Sequence, residues 1–205
     1  SDVCSSDLAG LDTVALTRAD VDITQPSALA RVLGACRPEA VINAAAFARV
    51  DEAEDDPAGV FAVNAWAVRD LARLAATSGF TLVHYSTDFV FDGETERPYV
   101  ETDAPHPRGV YATSKLVGEW MAAGAPRHYV LRVESLFGGV GAKSSIDALL
   151  AGLRLGRPVR AFADRTVTPS FVDDVAEATI ALLHGTAASG VYHCVNSGEI
   201  GRAHV

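Results

Sequence analysis

The chain has 205 residues, 49% of them hydrophobic, which is enough to bury a sizeable core, most simply as one domain. Its net charge of −9 argues against nucleic acid or an anionic membrane as the main partner, because both reward clustered Lys and Arg. No apolar run reaches the roughly 18 residues of a transmembrane helix, and the three cysteines, Cys4, Cys36 and Cys194, show no metal-ligand spacing, so no metal is expected and a reducing, cytoplasmic setting is.

The two ends lack any hydrophobic period. The last seven residues, EIGRAHV, can be written in codons whose reverse complement translates as DVCSSDL, which is residues 2–8. That DNA resembles a sequencing-library adapter read in both directions. The expectation is therefore that residues 1–8 and 199–205 are adapter translation, and that residues 9–198 are a single domain fragment of a longer gene.

Between the ends, strand and helix patterns alternate. TVALTR (13–18) reads as a short strand. QPSALARVLGACRP (25–38) has apolar residues at helical spacing between two prolines. AVINAAA (40–46) is a buried strand running into small residues. Residues 56–79 form a long helical pattern that stops at Gly79. FTLVHYST (80–87) is a second, nearly continuous apolar strand. Helical patterns follow at 111–123, 144–156 and 172–185, with a strand and loop over 128–139 between the first two. Strands that are apolar throughout, alternating with helices, predict an α/β fold: a doubly wound, Rossmann-like parallel sheet covered on both faces.

Ligands of such sheets bind outside the carboxyl ends of the strands. Those ends offer Ala44, Ala45 and Ala46; Ser86, Thr87 and Asp88; and Glu134 with Ser135. Small residues there also serve ordinary helix–sheet packing. The stretch YATSK (111–115) places Tyr111 and Lys115 on one helical face. On spacing alone it is either an ordinary helix start, or an acid beside the cation that lowers its pKa from about 10. Composition bears on the choice. The chain has 15 Arg and only two Lys, Lys115 and Lys143, so a lysine here points to a need for a compact ammonium. With a hydroxyl such as Thr87 to hold a carbonyl oxygen, this is equipment for reducing a ketone with hydride, or for the reverse.

These motifs, with STDFVFDG (86–93), PYVETDAPHP (98–107), VINAAAFARVDEAE (41–54), FAVNAWAVRDLA (61–72) and DRTVTPSFVDDVA (164–176), resemble the extended short-chain dehydrogenase/reductases, and among them the dTDP-4-dehydrorhamnose reductase branch. The likeness runs from about residue 13 to about residue 180. It implies NADPH or NADH as hydride donor, a nucleotide-linked 4-keto-6-deoxy sugar as acceptor, and leaves room for a homodimer. By the same likeness Tyr111 is the proton donor, Lys115 lowers its pKa and binds the nicotinamide ribose, and Thr87 holds the reacting oxygen. Asp22, Ile23, Asn43, Ala44, Ala45, Ala46 and Ser86 would line the cofactor. Asp88, Phe89, Glu134 and Arg165 would meet the sugar nucleotide. Asn64 resembles a structural asparagine, and Asp51 and Glu54 match a structural or oligomeric signature. Arg18, at the end of the 13–18 strand, would favour NADP(H) by accepting a 2′-phosphate.

Three departures matter. No G-x-x-G-x-x-G occurs, so a strand–loop–helix unit on the order of 25–30 residues is missing, and the chain by itself is expected to bind cofactor poorly and show little activity. Residues 134–198 cover only part of a substrate-binding region. Glu134 stands near where an aromatic residue is common, which leaves the sugar open. A dehydratase of the superfamily would follow the active-site threonine with an acid pair, but Asp88 is followed by Phe89. An epimerase, and a non-catalytic subunit resembling the regulatory subunit of methionine adenosyltransferase, remain as alternatives.

Overall fold

The computed structural model describes residues 11–95, 97–139, 144–159 and 167–197. The two proposed adapter segments, Lys143 and Arg165 lie outside them. A parallel four-stranded sheet runs in chain order, β1 (Ala40–Asn43), β2 (Thr81–Thr87), β3 (His128–Val133) and β4 (Gly190–His193). Helix α1 (Pro26–Cys36) precedes β1. Helices α2 (Pro57–Phe61) and α3 (Ala67–Ser78) lead to β2, α4 (Gly109–Ala122) to β3, and α5 (Ser145–Arg154) and α6 (Val172–His184) to β4.

The period of two in each strand sorts the core onto two faces. Leu82 of β2 and Val130 of β3 point to one face, where they meet Leu29 of α1, Val68 and Leu71 of α3, and Ala122 of α4. Val83, Tyr129 and Leu131 point to the other, against Leu182 and Leu183 of α6. Both faces carry helices, as the unbroken apolar strands predict. The strand β4 was not foreseen. Its four residues, GVYH, are too short to show a period.

The predicted strand at 13–18 does not form. Residues 11–17 carry no regular structure, and Val14 and Leu16 are 64% and 42% exposed. A strand needs a neighbour, and residues 11–17 pair with none of the four strands. The segment ends in a turn, where the Asp20 carboxylate accepts from the Thr17 N–H (2.8 Å) and hydroxyl (2.6 Å). Among the described residues β1 is the sheet's outer strand, and its Ile42 is 47% exposed.

The helical run 57–78 contains one π turn, Ala62–Trp66, between α2 and α3. Such turns mark places where a helix is reshaped to serve a site. Here the turn carries Asn64, which is fully buried. Its Oδ1 accepts the Phe47 N–H (2.8 Å). Its Nδ2 donates to the Phe47 carbonyl (3.1 Å) and to Ser114 Oγ (2.9 Å). One side chain thus ties the loop after β1 to α4. Glu54, from the 3-10 turn Asp51–Glu54, caps α4 by accepting the Val110 N–H at 2.7 Å.

Helix α4 comes so near this turn that a Cβ on Gly118 would lie 2.2 Å from the Asn64 carbonyl oxygen and 3.2 Å from His84 Nε2. In an open helix, Gly→Ala gains roughly 1 kcal/mol. Here Gly118→Ala is expected to reverse that sign and cost about 1–3 kcal/mol through overpacking. Chemical denaturation of the two proteins checks this; a stabilised variant would contradict the close approach.

Candidate active site

All four strands are parallel, so the segments leaving β1, β2 and β3 emerge at one edge of the sheet. After β1, Ala44, Ala45 and Ala46 are exposed and present a shelf with no bulky side chain. Asn43 holds its start. The Asn43 Oδ1 accepts the Ala45 N–H (3.2 Å), and its amide nitrogen lies 3.2 Å from His84 Nδ1. His84 is buried, and burial first, then the Lys115 ammonium, hold its pKa well below the ordinary value. It is a neutral imidazole, and its Nε2 has no hydrogen-bond partner. With Asn43 donating to Nδ1, the ring proton is assigned to Nε2.

At the end of β2, Thr87 Oγ1 donates to Asp88 Oδ1 (2.9 Å) and accepts the Phe89 N–H (3.2 Å), which turns the chain into the short 3-10 segment Asp88–Val90. Phe89, 41% exposed, sets its ring edge-on to Tyr111, with centroids 5.9 Å apart. The Thr87 side chain is also near enough to the Tyr111 hydroxyl to act on its ionisation. The sequence therefore located Thr87, Asp88, Phe89 and Tyr111 in one cluster.

The electrostatics differ from the expectation in one respect. The resemblance implies that Lys115 lowers the pKa of Tyr111. In the structure burial pushes the Tyr111 hydroxyl upward; the nearby Thr87 hydroxyl acts against this and the Asp88 carboxylate adds to it. Lys115 is buried, and its ammonium donates to the Tyr85 carbonyl oxygen at 2.6 Å. Burial lowers its pKa to about 8, with Glu119 opposing. Tyr111 thus rests as a protonated phenol beside a helix neighbour that is still largely cationic at neutral pH.

Other expected residues fall differently. Ser86 is buried and gives its hydroxyl to Glu119 Oε1 at 2.6 Å, so it faces the protein interior. Asp22 turns its carboxylate onto Thr24, accepting from its N–H (2.9 Å) and hydroxyl (2.8 Å). Ile23 packs on the core, and Arg18 is exposed in the turn before Asp22. Glu134 is half-buried past the end of β3, next to Ser135, whose φ of 43° is unusual for a residue with a Cβ. Burial, then the Asp88 carboxylate, push Glu134 up to about 7, against a backbone hydrogen bond from Thr168. Two residues went unnoticed in the sequence, Glu119 and Arg132. Glu119 was findable, being four residues past Lys115 on the face that Tyr111 and Lys115 already define. Among the described residues no cluster of His, Cys, Asp or Glu has the makings of a metal site, and no helix is long and apolar enough to cross a membrane.

The chain matches the RmlD substrate binding domain family over residues 5–205, and it belongs to that family. It is 40% identical over 199 residues to a dTDP-4-dehydrorhamnose reductase of Mycobacterium tuberculosis, covering 94% of this chain and 64% of that protein. A dTDP-4-dehydrorhamnose reductase of Burkholderia thailandensis is 35% identical over 195 residues, covering 91% and 65%. Among solved structures, dTDP-4-dehydrorhamnose reductase of Bacillus anthracis in complex with NADP superposes with a TM-score of 0.85 at 29% identity, over 90% of this chain and 65% of that one. The chain thus spans a little under two thirds of the length of the relatives it matches.

The Asp88–Glu134 proximity makes a pH-dependent prediction. Folded Glu134 keeps its proton up to about 7, whereas an unfolded glutamate releases it near 4.5. Between those values the folded state binds more protons, so this group subtracts stability as pH rises. Glu134→Gln is expected to gain thermal stability relative to the parent on going from about pH 5 to about pH 8. Melting curves at the two pH values test this; a difference that does not change with pH would contradict the shift.

Proposed function

We propose that this chain carries the reductive centre of an NAD(P)H-dependent oxidoreductase that acts on a nucleotide-linked 4-keto-6-deoxy sugar, as its relatives' names imply. The observation that carries the reading is the clustering of Thr87 and Tyr111 at a strand end, with Phe89 edge-on to the phenol and Lys115 one turn along the same helix. When bound, NAD(P)H supplies the hydride. The open alanine shelf at 44–46 fits a flat cofactor, and Lys115 is the cation beside it. The pyrophosphate has no glycine-rich turn to sit on in this sequence, and with the shorter span this supports weak cofactor binding by the chain alone.

The chain's own residues divide the proton work. The Thr87 hydroxyl holds the ketone oxygen where charge develops. Tyr111, kept protonated by its surroundings, releases its proton to that oxygen as the carbonyl carbon accepts hydride. The product is the hydroxyl, and the tyrosinate left behind is offset by the Lys115 ammonium. Phe89 shields the phenol from one side. Asp88, Phe89, Glu134 and Arg165 complete the proposed sugar-nucleotide contacts. A protonated Glu134 can donate a hydrogen bond to a sugar oxygen. A soluble cytoplasmic homodimer belongs to the same proposal.

The test follows NADPH oxidation by the full-length gene product that contains this chain, with a dTDP-4-keto-6-deoxy sugar as acceptor. Tyr111→Phe is expected to lower turnover by about 10²–10⁴-fold. Undiminished oxidation in the variant would overturn the role of Tyr111. NADPH binding without any oxidation would overturn the reductase reading.

A further inference from the structure

Helix α4 presents three functional side chains at intervals of four, Tyr111, Lys115 and Glu119. Glu119 is buried, and so is its partner Arg132 on β3. The pair is bidentate: Arg132 Nε donates to Oε1 at 2.9 Å and Nη2 to Oε2 at 2.7 Å, while Ser86 Oγ donates to Oε1 at 2.6 Å. Removing two charges from water is costly, and a well-packed apolar pair often serves stability as well or better. The pair therefore needs a reason beyond stability, and its surroundings supply one.

On its far side, the Arg132 guanidinium lies over the Phe91 ring, 4.9 Å from its centroid. Phe91 in turn stacks on Tyr99 (4.1 Å, 8°) and receives the edge of His193 (5.7 Å). Tyr99 donates to Asp92 Oδ1 at 2.6 Å, and Glu101 accepts the His193 N–H at 2.9 Å. Arg97 and Asp103 close the same segment with a two-pronged ion pair. The loop between Asp88 and Arg108 is thus fastened to the sheet through Phe91, and Phe91 rests on Arg132. This is the loop that begins with Asp88 and Phe89. On the near side, Glu119 of its own helix acts on the Lys115 charge, and Lys115 in turn acts on the neutral His84 of β2; Arg132 of β3 and, past it, His193 of β4 lie beyond Glu119.

We infer that Glu119 and Arg132 are a positioning pair joining the two halves of the site: Glu119, one turn past Lys115 on α4, supplies the negative charge that favours its ammonium, and Arg132 holds Phe91 and with it the loop that opens on Asp88 and Phe89. For its consequence in turnover this rests on the reductase reading; the physical coupling does not. Neither residue touches the reacting atoms.

The scarcity of lysine gives a direct readout. In the chain labelled with ¹³Cε-lysine only Lys115 and Lys143 give signals, and Lys143→Arg assigns them. Lys115 is expected to titrate at about 8. The double variant Glu119→Gln/Arg132→Met removes both charges without stranding one, and its Lys115 midpoint is expected to fall. In the same protein, amide exchange across 89–108 is expected to rise about tenfold while that of β2 and β3 holds. Should the double variant not fold, Glu119→Asp, which keeps both charges but draws the carboxylate back, is expected to lower the midpoint partway. Phe91→Leu is then expected to speed loop exchange and leave the Lys115 midpoint in place. A folded variant lacking the Glu119 carboxylate, or with it drawn back, and an unchanged Lys115 midpoint would overturn the first half. Unchanged loop exchange would overturn the second. A shifted midpoint in the chain, with a full-length gene product that reduces no ketone, would uphold the pair and sink only the reductase reading. In an active protein, the basic limb of kcat moves to lower pH and KM for the sugar nucleotide rises. A merely structural loss would lower the folded fraction and move neither.

Discussion

The seating of α4 against the π turn is the constraint from which the site follows. Asn64 spends both ends of its amide on the main chain of Phe47 and the hydroxyl of Ser114, and Gly118 leaves no side chain to keep the helix away. Ser114 in turn donates to the Tyr111 carbonyl oxygen at 2.7 Å, so the buried asparagine reaches the turn that bears the phenol. Fixed in this way, α4 aligns three polar side chains along the ends of β2 and β3. Each is buried, or nearly so, and each therefore needs a partner. The neighbours come from different elements: Phe89 and Thr87 beside Tyr111, the Tyr85 carbonyl for Lys115, and Arg132 with Ser86 for Glu119.

Low dielectric then does different things to different groups. It keeps Tyr111 protonated, draws the ammonium of Lys115 toward neutrality, and leaves the deeply buried His84 uncharged. Glu134, beside the carboxylate of Asp88, retains a proton toward neutral pH. Burial and the neighbouring carboxylate thus keep a proton on Glu134 that an exposed glutamate would release. The helix is left with an ammonium still largely charged at neutral pH and a phenol that has a proton to give.

Much of this was legible in the sequence because it rests on local periodicity. The apolar runs at 80–87 and 128–133 had to be interior strands, and YATSK had to share a helical face. Thr87 and Asp88 followed from the rule for strand ends, and Phe89 from the family resemblance. What could not be read depended on partners far away in the chain. TVALTR has strand chemistry, yet residues 11–17 pair with no strand, so Val14 and Leu16 stay in solvent. Ser86 has the position of a site residue, but its hydroxyl is claimed by Glu119 from 33 residues away. Arg132 sits in an apolar strand, where a lone arginine reads as an interruption; only the tertiary fold shows that its charge is matched. The four residues of β4 carry no period at all and became a strand because β3 offered them an edge.

That outer strand β1 has a further meaning. Its free side presents backbone donors and acceptors in register, and Ile42 adds an apolar side chain beside them. A flat, uncharged four-residue edge, AVIN, lacks the lysine, proline or bulge by which sheets discourage strangers. Such an edge is a template. A peptide in extended form could add to it as a fifth strand, and so could the same edge of another copy. Among the described residues, strand addition is therefore expected at β1, at the opposite side of the sheet from β4.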